Sequence, residues 1–147
     1  IVALAVVGLL AGLLLSAVQK VRTAAVRVRC ANHLAQLGRA AAAYEAAHGR
    51  LPPALSVAES SPGVVAHGWG AYLLPYLEQA GLADRYNFAR SFADPAANQA
   101  VVGSKVATTV CPANPAADMT YSHAGDVSYL PVGATPGAYT AAAADYG

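Results

Sequence analysis

Nineteen residues, Ile1 to Gln19 (IVALAVVGLLAGLLLSAVQ), carry no charge, and Lys20 is the first charged residue of the chain. A helix advances about 1.5 Å per residue, so the run spans roughly 28 Å, close to the hydrocarbon thickness of a bilayer. The core helix of a water-soluble domain normally keeps a polar stripe, and this one is apolar on every side. A secretory signal peptide opens with basic residues, holds a shorter apolar core and ends at a small-residue cleavage site. This sequence opens directly in apolar residues, and its helical pattern continues beyond them. Such a segment must leave water for lipid or for other apolar helices.

The pattern then changes character without breaking. From Lys20 to His48 there is no proline and one glycine, and alanine is abundant, so helix propensity stays high. Cys30, Leu34, Leu37, Ala41 and Tyr44 recur at steps of three and four, which places them on one face. Leu34, Leu37, Ala41 and Tyr44 are accordingly expected to pack the helix onto a folded head. Arg22, Arg29, Asn32, Arg39 and Glu45 occupy the other face. Gly49 supplies a stop, with Pro52 and Pro53 beyond it. The reading is one continuous helix of about 48 residues, roughly 70 Å long. Residues 1–49 thus divide into an apolar part, 1–19, and an amphipathic part, 20–49, and residues 50–147 form a globular head.

Charge follows the same division. Residues 1–50 are net +5 and residues 51–147 net −4, within a chain of net +1. One reading is attraction between the stalk of one copy and the head of the next; the other is a solvated helix face with lipid-headgroup contact. Charged residues make up 12% of the chain, about half the usual share, which excludes a disordered segment. The near-neutral balance offers no footprint for nucleic acid. The apolar excess is mostly alanine, 36 residues against two Phe and one Trp.

In the head, residues 50–67 read as a Pro/Ser-containing connection. Tyr72, Leu73, Tyr76, Leu77 and Leu82 are expected on the apolar side of a short helix with Pro75 in its first turn. Residues 100–111 (AVVGSKVATTVC) are β-branched and partly alternating, as in a strand or strand pair. Further strands are expected around Tyr121 and from Val127 to Val132. The class is α+β, a long N-terminal helix packed on a small, mostly antiparallel sheet.

IVALAVVGLLAGLLLSAVQKVRTAAVRVRC resembles the N-terminal segment of prepilin-type proteins, the superfamily of type IV pilins and type II secretion pseudopilins. CANHLAQLGRAAAAYEAAHGRLPPA, GWGAYLLPYLEQ and TVCPANP together resemble a branch that carries a pilin-like helix and a globular domain of unknown function. The likeness covers about residues 1–115. It implies an inner-membrane precursor, cleaved and N-methylated by a prepilin peptidase and driven by membrane assembly machinery into a helical filament of its own copies. By this likeness a basic leader, a cleavage-site glycine and the first mature residues, which include a glutamate, would precede Ile1, placing it about six residues inside the mature N-terminus. Ser16 stands where many relatives have a helix-breaking proline. Should the helix unwind locally in the filament, Gly8, Gly12 and Ser16 are where it would do so, and they also form a small-residue stripe that permits close approach of helices. Small residues are also common in membrane helices generally.

Cys30 falls on the core face of the helix, and Cys111 ends an expected strand. A Cys30–Cys111 disulfide would close a loop of about 80 residues and stabilise the fold by on the order of 4 kcal/mol, and an extracytoplasmic head permits it. Two separate buried thiols are the alternative.

Catalytic signatures are lacking. His33, His48, His67 and His123 show no metal-ligand spacing, and no nucleophile elbow or phosphate-binding glycine loop occurs. Asp118 and Asp126 flank a loop that suits Ca²⁺, or are simply solvated acids. Trp69 and Tyr72 are expected as core anchors, or as an aromatic patch at a subunit contact. The expectation is therefore a structural subunit, not an enzyme, with no cofactor and no metal. Val6, Gly8, Leu9, Leu10, Gly12, Leu13, Leu14, Ser16 and Val18 would pack in the filament core. Its partners would be its own copies, the assembly machinery, the peptidase and the bilayer before assembly, with no nucleic acid. The alternatives are a minor pseudopilin that primes or tips a secretion filament, and a single-span anchored binding protein that never polymerises.

Overall fold

The computed structural model describes residues 2–60, 63–114, 120–123 and 139–142. A single helix, α1, runs unbroken over Val2–His48, about 70 Å at the usual rise. It stops where Gly49 takes φ +70°, a left-handed conformation that costs glycine nothing for want of a Cβ. Gly49 N–H donates to the Glu45 carbonyl at 2.7 Å, and His48 Nδ1–H donates to the Tyr44 carbonyl at 3.0 Å. The Glu45 carbonyl, one of the last four that lack a partner within the helix, is thereby satisfied, and the His48 ring adds a bond to the Tyr44 carbonyl.

The segment read as a connection is instead an antiparallel hairpin, β1 (Leu55–Ser60) and β2 (Gly63–Gly68), with Leu55 opposite Gly68 and Ser60 opposite Gly63. Pro52 and Pro53 precede β1, and Pro62 falls in sequence between the strands, so none removes a donor from the ladder. Next come α2 (Trp69–Leu73), a 3₁₀ turn at Leu74–Leu77 with Pro75 near its start, and α3 (Ala80–Ala83). The expected single short helix over Tyr72–Leu82 is thus broken. Glu78 interrupts it with φ +59°, and its N–H caps the Leu74 carbonyl.

Residues 100–111 do not form the expected strand pair. They contribute to α4 (Gln99–Val102) and to a 3₁₀ turn at Ala107–Thr109. The helical turn at α4 carries Val101 into a core with Leu74 and Tyr86, and that packing overrides β-propensity. Val106 and Val110 keep extended backbone on either side of the 3₁₀ turn. A second antiparallel pair joins β3 (Thr120–His123) to β4 (Tyr139–Ala142); β4 lies against α4. The strand expected around Tyr121 is present as β3. The strand expected from Val127 to Val132, and both Asp118 and Asp126, lie outside the described residues.

The result is α+β, a long helix with a head of two small two-stranded antiparallel sheets and short helices. Leu37, Ala40 and Tyr44 of α1 are buried against Leu73 and Leu77, with Trp69, Tyr72 and Tyr76 packed around them. The head elements that meet α1 most extensively are α2 and the two 3₁₀ turns. Leu34, expected in this contact, is 50% exposed. The buried stripe runs through Leu37, Ala40 and Tyr44, and at about 100° per residue Leu34 lies roughly 60° round the helix from Leu37. Ala41 is half-buried at the edge of the stripe.

Candidate functional site

The largest chemical feature of the molecule is a surface. Within α1 an 18-residue window has mean hydropathy 2.3, and none of it is buried inside the chain. Val6, Gly8, Leu9, Leu10, Gly12, Leu13, Leu14, Ser16 and Val18 all lie on this helix and all are exposed. Soluble monomers rarely show apolar patches beyond a few hundred Å². A helix apolar on every side over five turns cannot stay in water unaccompanied. Its one hydroxyl before Gln19 is already satisfied: Ser16 Oγ–H donates to the Leu13 carbonyl at 2.9 Å, as a dry environment requires. A Cβ built at Gly8 or Gly12 would meet nothing within 4 Å, so that side of the helix is open to close approach. The helix is continuous through Gly8, Gly12 and Ser16, and no unwinding occurs there in the single chain.

Beyond this surface, Lys20, Arg22, Arg27 and Arg29 stand exposed on the next stretch of helix. The head then grips α1 at one side. A disulfide joins Cys30 to Cys111, whose Cα atoms are 5.0 Å apart. One turn further on, His33 Nδ1–H donates to the Val110 carbonyl at 2.9 Å. Covalent and hydrogen-bonded links therefore fasten the residues after the second 3₁₀ turn to the start of the gripped half. Above them the apolar contact of Leu37, Ala40 and Tyr44 begins. Tyr44 stacks on His48 at 4.1 Å and meets Tyr72 and Tyr76 edge-on. Trp69 and Tyr72 pack on this core.

Two buried polar residues that the sequence did not single out organise the head. His67 on β2 is 5% exposed. Its Nε2–H donates to the Phe88 carbonyl at 3.0 Å, which leaves Nδ1 to accept the Tyr86 hydroxyl at 2.8 Å. Those partners fix one neutral tautomer. Burial lowers the imidazole below its ordinary 6.5, partly offset by the bond to the Phe88 carbonyl. Burial raises the Tyr86 hydroxyl above the ordinary phenol range, with Tyr72 adding to the shift. Asn98 is fully buried. Its Oδ1 accepts the Asn87 N–H at 2.8 Å, and its Nδ2 donates to the carbonyls of Asn87, Arg90 and Ser91 at 2.9–3.0 Å. One side chain thus folds the 87–91 loop about itself.

A cleft of about 220 Å³ lies between α2, α4 and the second 3₁₀ turn, lined by Ala71, Leu74, Phe92, Val101, Val106 and others. Its wall is mainly aliphatic and aromatic carbon. The lining hydroxyls of Ser104, Thr109 and Tyr86 are spent on Ala100, Val106 and His67. Among the described residues no three His, Cys, Asp or Glu side chains converge as a metal site would require. The arrangement suits anchoring and burial; His67, the one buried imidazole among the described residues, is enclosed by Tyr86 and the Phe88 carbonyl.

The family described as protein of unknown function (DUF1559) matches residues 19–147, most of the chain and all of the head. No curated protein and no solved structure matches the chain.

Proposed function

The chain belongs to the DUF1559 family, and we propose that it is the structural subunit of a pilus-like or pseudopilus filament, polymerising through the apolar half of α1. The observation that carries the reading is the wholly exposed apolar stretch of α1, continuous with a half that the head grips through a disulfide and a packed core. The resemblance of the first thirty residues to prepilin-type proteins points the same way. The subunit would be held in the inner membrane before assembly and moved into an extracellular filament by membrane machinery after processing by a prepilin peptidase.

Burial of each large aliphatic side chain away from water is worth about 1.5–3 kcal/mol. That gain separates the filament from an exposed monomer but scarcely from the bilayer, since lipid tails are as apolar as leucine. Assembly therefore needs work from the machinery, and it needs close packing between copies. Leu10→Lys places a charge where a neighbouring helix would sit and is expected to abolish filaments while leaving the head folded. Normal filaments from that variant would contradict the proposal. A minor subunit at the tip would share these features and differ in abundance. A single-span anchor would keep α1 in lipid and show no contact between copies.

A further inference from the structure

We propose that Lys20, Arg22, Arg27 and Arg29 form a cationic collar that gathers anionic phospholipid headgroups around α1. All four side chains are exposed. Among the described residues none of them is paired with a carboxylate, and the first acid in the chain is Glu45. At about 100° per residue, Lys20 and Arg27 share one side of the helix while Arg22 and Arg29 lie roughly 200° away on the other. The charge thus stands on two opposite sides of the rod, and no single groove on a partner could meet all of it. A planar anionic surface pierced by the helix meets every direction at once.

Position along the axis agrees. The collar begins at the residue after the uncharged run and extends roughly 14 Å. With the run filling the hydrocarbon, Lys20 and Arg22 stand at headgroup depth. Arg27 and Arg29 stand farther out, within about a Debye length of the surface, where basic residues are still attracted to anionic lipid. The long side chains can also bend their charges back toward the phosphates. The acidic head of a neighbouring copy is the rival partner. The described head acids Glu59, Glu78, Asp84 and Asp94 are interspersed with Arg85, Arg90 and Lys105, and Asp94 is paired with Arg90 at 3.8 Å. Four acids against three bases leave the described part of the head close to neutral. The proposal rests on the bilayer-held stage of the filament reading and does not require polymerisation.

The test reconstitutes the full chain in phosphatidylcholine vesicles containing a minority of phosphatidylglycerol and measures, with spin-labelled lipids, which headgroup the protein retains. One cation near an anionic surface is worth about a fivefold preference, so the native chain should favour phosphatidylglycerol by at least about that factor, and less at high salt. The quadruple variant Lys20→Gln/Arg22→Gln/Arg27→Gln/Arg29→Gln should insert equally but lose the preference. A charge-keeping variant with the three arginines changed to lysine should retain it. Insertion without headgroup preference in the native chain, or a preference unchanged in the glutamine variant, overturns the collar and leaves the filament reading standing. Loss of filaments in the glutamine variant, with no lipid preference in the native chain, assigns the collar to neighbouring copies and likewise overturns it. Failure of the native chain to insert overturns both readings.

Discussion

His67 and Asn98 show how much of the head hangs on single side chains. In the folded state the His67 imidazole is held neutral, its affinity for protons depressed by burial below the ordinary 6.5, so the unfolded chain binds a proton that the folded head refuses. That contribution to stability is complete above about pH 6.5 and is lost as pH falls through the folded value. Urea unfolding of the full chain in detergent should therefore give a lower midpoint at about pH 5 than at about pH 7.5, and His67→Gln should shrink the difference. Tyr86→Phe removes the hydroxyl that His67 Nδ1 accepts and should cost about 1–3 kcal/mol in the same measurement. Asn98→Ala strands the Asn87 N–H and several carbonyls, and should cost about 3 kcal/mol or more. Neither residue was legible in the sequence. Their partners are backbone carbonyls, a backbone N–H and a phenol 7 to 21 positions away, and nothing in residue type or periodicity marks such a closure.

At the scale of elements, legibility tracked how local the determining physics is. The long helix was readable because propensity, the absence of proline and the Gly49 stop all act within a few residues of one another, and α1 ends at His48. The first hairpin was hidden by prolines that turn out to flank its strands. Residues 100–111 look like strand, yet α4 exists because Val101 finds Leu74 and Tyr86, a tertiary contact that no window of sequence contains. The three-and-four spacing found the buried side of α1 but misjudged its centre, admitting Leu34 and passing over Ala40, which is 2% exposed. The joint between helix and head carries its own predictions. Replacing Cys30 and Cys111 together by serine opens a link between residues 81 apart and should lower unfolding stability by on the order of 4 kcal/mol. Gly49→Ala forces a Cβ into positive φ and should cost about 1 kcal/mol, read from the unfolding midpoint.

At the scale of the whole molecule, one end of a long rod is enclosed by a head and the other end is enclosed by nothing in its own chain. The two halves answer to different solvents. In the head the buried side chains of His67 and Asn98 are hydrogen-bonded, while the free half of α1 carries no charge up to Lys20, as a segment needs if it is to move from lipid into a dry bundle without stranding an ion. A protein built this way gains little by staying alone, because the surface it exposes is large and continuous. On the proposed reading lipid tails are as apolar as a bundle of such helices, so transfer from one to the other calls for an external machine. The most direct test of the central claim is electron microscopy of material sheared from the cell surface, with mass spectrometry identifying this chain in it. Filaments are expected in which the chain is a component and residues 2–19 of each copy lie against those of its neighbours. Isolated particles with that segment wrapped in lipid or detergent, touching no second copy, would contradict it.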